Sequence, residues 1–272
     1  MTASLDTAAA RAPETPRIVL ITGAARRIGR ALALGFAARG WDVAVHYGSS
    51  REEADEVVAE IVALGRRAVA LHAELGDEAD VERLIPACMA VLGRPACIVN
   101  NASRFEEDTA QNVGYDLLLK LTAMNLGAPL VLARMLFEAT PETARTDESQ
   151  RGVVINVLDQ KLYNMNPDYL SYTLSKAALQ TATVALAQAL APKVRVVGLA
   201  PGLTMQSADQ TPAGFEAAHR TTPLGRASRP EDIVAAALYL ADAAGVTGTT
   251  LVVDGGQHLV PLPRDVMFLT GA

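Results

Sequence analysis

Tyr172 and Lys176, in the segment Tyr-Thr-Leu-Ser-Lys, are the two residues of this chain best spaced for acid–base work. Four residues apart on a helix, their side chains leave one face a single turn from each other. Of the six tyrosines, only Tyr172 has a lysine at this offset. A free phenol, with a pKa of about 10, is a poor proton donor or acceptor near neutrality. A neighbouring ammonium favours the phenolate, and a drop of about 2–3 units corresponds to roughly 3–4 kcal/mol between the two protonation states. Lys176 is therefore expected to lower the pKa of Tyr172 and make it a usable proton source. Without context the same two residues read equally well as an exposed tyrosine and an exposed lysine.

A second chemical signal lies near the start. The run Arg-Ile-Val-Leu-Ile-Thr leads into Gly23-Ala24-Ala25-Arg26-Arg27-Ile28-Gly29 and then into a helical pattern. Glycines between a first strand and a first helix let the backbone approach a pyrophosphate, whose charge the helix N-terminus favours. The next apolar run ends His46-Tyr47-Gly48-Ser49-Ser50-Arg51, with no acidic residue before Glu52. A site for NAD usually places Asp or Glu there to hold the ribose 2′-hydroxyl. Ser49, Ser50, Arg26 and Arg27 suit a 2′-phosphate instead, so NADP(H) is the expected cofactor. Two cations at a helix start also oppose its dipole, which a bound anion would explain.

These residues need elements to position them. Apolar runs rich in Val and Ile fall at Ile18–Thr22, Asp42–Tyr47, Ala68–Leu71, Ala96–Asn100, Val153–Val157, Val194–Leu199 and Thr250–Val253. Between them helices are predicted at about 26–39, 51–64, 77–92, 112–138, 169–191 and 229–241. That alternation predicts an α/β fold, a single doubly wound (Rossmann-type) domain over 17–272 with a seven-stranded parallel sheet flanked by helices on both faces. Residues 1–16, small and polar, read as a disordered tail. The stretches 139–151 and 203–228 read as insertions or long loops. Asn100-Asn101-Ala102-Ser103 closes the fourth strand, Pro201-Gly202 the sixth and Asp254-Gly255-Gly256 the seventh. In a parallel sheet those ends share the edge where ligands bind.

Composition narrows the class. Half of the 272 residues are hydrophobic, enough for a sizeable core, and a net charge of −6 offers no basic face for nucleic acid. Cys88 and Cys97 match no metal spacing and suit a reducing cytoplasm. His46, His72, His219 and His258 form no metal-like cluster. No uninterrupted apolar run is long enough for a bilayer, so no membrane association is expected.

The turn Thr22–Gly29, the Asn-Asn-Ala segment, Tyr-x-x-x-Lys, Pro-Gly and the terminal Thr-Gly and Asp-Gly-Gly together resemble the short-chain dehydrogenase/reductase superfamily, over about residues 17–258. The resemblance implies that Tyr172 is the general acid and that Lys176 holds the nicotinamide ribose. It implies that Asn125, 24 residues beyond Asn101, helps form a proton relay through water. Asn101 and Ala102 would line the adenosine side together with Ser103, Glu74 and Leu75. Pro201, Gly202 and Thr204 would line the nicotinamide and pyrophosphate side.

Three positions depart from the common pattern of that superfamily. Arg27 stands for the usual glycine before Ile28-Gly29, and Ser103, followed by Arg104-Phe105, for the glycine after Asn-Asn-Ala. Asp159 stands for the serine 13 residues before the catalytic tyrosine. A hydroxyl can donate to a carbonyl, whereas an ionised carboxylate only accepts. Asp159 could orient Tyr172 or meet the N–H groups of a nitrogen heterocycle, and Phe105 could face a planar ring. These departures, with His46-Tyr47, resemble the pteridine reductase branch. They imply reduction of a pterin-like substrate held against Phe105, with Asp159 assisting Tyr172. The alternatives are a reductase of another carbonyl or imine, or a non-catalytic NADP(H) sensor. The stretch 169–191 is apolar nearly all round, so it is expected to pack on the sheet and on another subunit, giving a homotetramer or dimer through the 112–138 and 169–191 helices. Val266-Met-Phe-Leu is apolar enough to dock on a neighbour.

Overall fold

Runs of Val and Ile that are hydrophobic at every position must be covered on both faces, and the structure covers them so. It is a computed structural model that describes residues 17–206, 211–220, 222–226 and 228–269. Residues 1–16, expected to be a tail, lie outside the described residues. The strands are β1 (Ile18–Ile21), β2 (Asp42–Tyr47), β3 (Ala68–His72), β4 (Cys97–Asn100), β5 (Gly152–Val157), β6 (Val194–Pro201) and β7 (Thr250–Val253). They form one parallel sheet in the order β3-β2-β1-β4-β5-β6-β7. The chain builds outward from β1 in one direction, then returns to build from β4 in the other. The crevice between the ends of β1 and β4 is therefore the switch point, where such sheets bind ligands.

Alternation sorts the strand side chains into two cores. Val19, Ile21, Val45 and Val99 pack with Leu32 and Phe36 of helix α1 (Arg27–Ala38) and Ile233 of α8 (Pro230–Asp242). Leu20, Ile98 and Val154 pack on the other face with Leu84 of α3 (Glu78–Val91) and Leu132 of α5 (Ala128–Ala139). α2 (Arg51–Ala63) and α6 (Leu170–Leu190) complete the predicted set.

The helix predicted at 112–138 is α4 (Tyr115–Thr122), a π-helical turn at Ala123–Gly127, and α5. By length and composition alone the run Tyr115–Ala139 could cross a bilayer. Here Leu121, Leu132 and Leu136 of that run are fully buried in the fold.

The stretches 139–151 and 203–228 are not plain loops but contain short helices. In 139–151 there are 3-10 turns at Glu142–Arg145 and Glu148–Gln150. In 203–228 there is α7 (Pro212–Arg220). Pro212 opens it, where a missing N–H costs nothing.

Candidate active site

The glycine turn is shaped by contacts that leave no room for side chains. Gly23 has φ +62°, and a Cβ there would press on Ala102. A Cβ on Gly29 would lie 2.0 Å from the Gly23 carbonyl oxygen and 2.7 Å from Asn101 Nδ2. Thr22, buried at the end of β1, accepts at Oγ1 from the backbone N–H of Asn101 and of Ala102, both at 3.0 Å. Asn101 Nδ2 donates back to the carbonyls of Thr22 and Gly23. The two strand ends are thus stitched together at the switch point.

His46 braces the turn from beneath. The Gly23 N–H donates to its Nδ1 at 3.0 Å, and Nε2 lies 3.1 Å from the Ala73 carbonyl. An acceptor at Nδ1 and a carbonyl at Nε2 select the neutral ring protonated at Nε2. Burial pushes its pKa down to about 4.

A cavity of about 400 Å³ opens over this turn. Gly23, Ile28, Gly29 and His46 border it beside Arg26 and Arg27. Ser49, Ser50, Glu74 and Leu75 form its outer side, and Asn101, Ala102 and Ser103 its inner side. Tyr47 does not border it. Successive β2 side chains point to opposite faces, and the Tyr47 ring is buried in the core, 5.4 Å from that of His72. Arg26 pairs with Glu53, and Arg27 donates to the carbonyls of Gln206 (2.7 Å) and Met205 (3.3 Å). Protein groups thus offset the two cations at the helix start, so that placement does not by itself require a bound anion. Arg27 also stands at φ +53°, the left-handed region that favours the glycine it replaces.

A second cavity, of about 420 Å³, adjoins the first at Arg27, Ile28 and Ser103. Tyr172, Asp159 and Phe105 meet in its wall, with Gly202 and Thr204 opposite. The Tyr172 hydroxyl donates to Asp159 Oδ2 at 2.7 Å, while Oδ1 accepts from the Lys161 N–H at 2.8 Å. Phe105 stands edge-on to Tyr172, ring centres 4.8 Å apart, and stacks on Tyr169 at 3.9 Å. Nearly half of Phe105 is exposed, leaving a ring surface toward the cavity.

Lys176 and Pro201 lie behind the cavity wall. Lys176 Nζ donates to the Val157 carbonyl at 2.7 Å and stands 5.9 Å from the Tyr172 ring centre. Burial brings its pKa down to about 8. The expected lowering of the Tyr172 pKa is overturned. Burial, followed by the charge of Asp159 and the hydrogen bond to it, lifts the phenol well above its ordinary value. A carboxylate at hydrogen-bonding distance outweighs an ammonium that faces a carbonyl instead. Burial raises the Asp159 pKa as well.

Asn125 sits in the π-helical turn and is fully buried. Such turns recur at functional sites because the extra residue re-aims a side chain. Its Nδ2 donates to the Arg104 carbonyl and to Ser175 Oγ, both at 3.0 Å, and its Oδ1 accepts from the Arg104 N–H at 2.9 Å. Asn125 therefore ties the segment carrying Ser103 and Phe105 to α6, rather than touching Tyr172.

Several residues of the site went unread in the sequence. Lys161 and Gln257 border the second cavity, as do Leu262, Asp265 and Val266. Gln257 accepts from the Leu203 N–H at 2.9 Å, whereas its neighbour His258 pairs with Asp254 at 2.8 Å. The apolar C-terminal stretch makes contacts within the chain while Phe268 and Leu269 keep exposed surface. Val266 is buried, and Phe268 of the short helix α9 (Val266–Leu269) stacks on Tyr169 with ring centres 6.0 Å apart. Among the described residues no group of His, Cys, Asp and Glu could hold a metal ion.

Comparison with known proteins agrees with this geometry. The family profile described as enoyl-(acyl carrier protein) reductase matches residues 23–258. The 3-oxoacyl-[acyl-carrier-protein] reductase of Synechocystis is 33% identical over 249 residues, 89% of this chain and 97% of that protein. The 3beta-hydroxysteroid dehydrogenase 1 of Eggerthella lenta is 32% identical over 252 residues, 90% of this chain and 95% of that protein. Among solved structures, FolM alternative dihydrofolate reductase 1 from Brucella canis, complexed with NADP, matches with a TM-score of 0.83 and 37% identity, over 90% of this chain and 95% of that one. Its counterpart from Brucella suis, also with NADP, gives 0.82 and 36%, over 90% and 96%. The chain belongs to the short-chain dehydrogenase/reductase superfamily and, within it, to the pteridine reductase-like branch.

Proposed function

We propose that this oxidoreductase uses NADPH to reduce a pterin-like heterocycle, with Tyr172 as proton donor. The observation that carries this reading is the carboxylate of Asp159, hydrogen-bonded to the Tyr172 hydroxyl where the superfamily usually has a serine. A serine would donate to a substrate carbonyl. An ionised Asp159 only accepts, which suits a substrate edge bearing N–H groups.

The cradle fits a dinucleotide. Gly23 and Gly29 clear the space where backbone N–H groups and the start of α1 meet phosphate. Arg26, which pairs with Glu53, borders the far side with Ser49 and Ser50, where the extra phosphate of NADP would lie, and no Asp or Glu falls between Tyr47 and Arg51. When bound, NADPH supplies the hydride. The chain's own part is to hold one proton ready and the ring in place. Tyr172, lifted well above its ordinary value by burial and by the charge of Asp159, keeps its proton at neutral pH and donates it in a hydrogen bond to that carboxylate. Lys176 stabilises the phenolate left when the proton passes to a ring nitrogen, and Phe105 offers a face to the planar substrate.

NADPH oxidation with 7,8-dihydrobiopterin, set beside a panel of ketones and imines, tests the reading. Turnover confined to ketones overturns it. Tight NADPH binding with no turnover across the panel favours a sensor.

We also propose that the chain self-associates through the 112–138 and 169–191 helices. Tyr115, Leu119, Leu174 and Val184, on α4 and α6, are large apolar side chains left exposed in the single chain, which supports a homotetramer or dimer.

A further inference from the structure

The outer wall of the substrate cavity comes from residues about a hundred positions beyond the catalytic ones, and it has its own anchor. Leu262, Asp265 and Val266 line that wall. They are held by Asp168, which is almost fully buried just ahead of α6. Both oxygens of Asp168 accept from Arg264 Nε, at 2.8 and 2.9 Å, and one accepts from the Asp265 N–H at 2.7 Å. Burial alone would raise this carboxyl's pKa, but these donors hold it below the ordinary range. The Asp168 carbonyl accepts from Lys161 Nζ at 2.7 Å, and the same ammonium lies 3.6 Å from Asp265 Oδ2. The backbone of Asp265 is therefore pinned, and its carboxylate borders the cavity beside Lys161 with about a fifth of the side chain exposed.

The cavity thus presents two carboxyl groups, Asp159 beside Tyr172 and Asp265 on the outer wall. A ketone brings only an acceptor, and a second acceptor in the wall gives it nothing to bond. A planar heterocycle with an amidine-like edge, a ring N–H beside an exocyclic amino group, brings two parallel donors. Such an edge matches a carboxylate in the bidentate manner that gives both strength and orientation.

We propose that Asp265 is a specificity-determining residue of this site, accepting from the paired N–H donors of a heterocyclic substrate, and that Asp168 positions it. The proposal rests on the heterocycle reading above and deepens it.

The test is a cycle between one side chain and one substrate group. KM and kcat are measured with 7,8-dihydrobiopterin and with its analogue lacking the 2-amino group, for the wild type, Asp265→Asn, Asp265→Glu and Asp168→Asn. Equilibrium binding of both compounds to the enzyme–NADP+ complex is measured alongside. Loss of a hydrogen bond to a charged group raises KM for the parent compound by about 10- to 100-fold in Asp265→Asn, with kcat changed far less. The analogue binds the wild type weakly, and Asp265→Asn weakens it no further. Asp265→Glu, which keeps the charge opposite Lys161, recovers part of the affinity. Asp168→Asn moves KM in the same direction as Asp265→Asn. An unchanged KM for the parent in both Asp265 variants overturns the assignment, as does an equal loss for the two compounds, which would mark a damaged wall. A wild type that neither binds nor reduces dihydrobiopterin overturns the heterocycle reading first and this assignment with it. NADPH fluorescence on binding reports whether each variant is folded.

Discussion

The Tyr172 hydroxyl donates to the Asp159 carboxylate across 2.7 Å, a bond between the first turn of α6 and the residue that caps the 3-10 turn at Gln160–Tyr163. That bond decides how the site holds its proton. A phenol bonded to a carboxylate is a weaker acid than one facing only an ammonium, so Tyr172 enters the reaction protonated.

Removing either partner separates the two halves of this unit. Tyr172→Phe abolishes the donor and is expected to lower kcat by about 10²–10⁴, the usual range for a positioned acid, with NADPH affinity kept. Asp159→Ser restores the hydroxyl donor of related enzymes. Its expected effect is to shift the ratio of kcat/KM away from the heterocycle and toward ketones. Steady-state kinetics on both substrate classes checks this, and an unshifted ratio means that Asp159 does not select the substrate.

His46 makes stability depend on pH in a stated direction. Its native pKa is about 4 against an ordinary 6.5, because the ring is buried. Between those values the unfolded chain binds a proton at residue 46 that the native chain does not. Its contribution is fully present above pH 6.5 and is lost as the pH falls to 4, amounting to roughly 3 kcal/mol. Urea melts at several pH values within this window should show stability falling with acid. His46→Gln should flatten that slope while lowering stability at neutral pH, since the Gly23 N–H loses its ring acceptor.

The dinucleotide turn tolerates no methyl group at Gly29. The clash is with backbone oxygen and the Asn101 amide, neither of which is a flexible chain end. Gly29→Ala is expected to cost about 1–3 kcal/mol of stability and to remove measurable NADPH binding. Gly245→Ala, where an added Cβ meets nothing within 4 Å, is the matched control and should change neither. Calorimetry with and without NADPH reads both quantities.

Much of this architecture could be read from the residues, because buried parallel strands announce themselves as Val and Ile runs and the ligand edge follows from where they end. What escaped was set by three-dimensional surroundings. The π-helical turn at Asn125 adds no mark to an otherwise helical pattern. Tyr47 ends β2 beside His46, yet alternation along the strand sends it away from the cofactor cavity into the core, a signal the sequence did carry. The direction of the Tyr172 shift depended on burial and on the aim of the Lys176 ammonium, neither of which spacing reveals. Asp168 and Asp265 are 97 residues apart, so no local pattern joins them.

Choice of cofactor should follow the second β-strand. Arg26 and the two serines border the cavity on the side proposed for a 2′-phosphate, and charge-assisted hydrogen bonds of this kind contribute about 1.5–3 kcal/mol. Arg26→Ala is expected to weaken NADPH binding by about 10- to 100-fold while NADH binding changes little. Equal losses for both cofactors, measured by nucleotide fluorescence, would place Arg26 on the shared pyrophosphate instead.

The proposed self-association draws on apolar side chains that the single chain leaves exposed on α4 and α6. α6 buries Leu179, Thr183 and Ala187 against its own fold yet leaves Leu174 and Val184 about half exposed, and α4 beside it exposes Leu119 and Tyr115. Large apolar side chains gathered on neighbouring helices are costly to hydrate, and burying them against a second copy removes that cost. Charge placed there should be tolerated by the single chain, whose core it does not enter, and rejected by an interface. Leu119→Glu with Val184→Glu is therefore expected to convert the oligomer to monomer while thermal unfolding still shows a folded chain. Light scattering at micromolar concentration reads the mass of both proteins; a wild type already monomeric under those conditions rules the interface out and leaves the proposed reaction untouched.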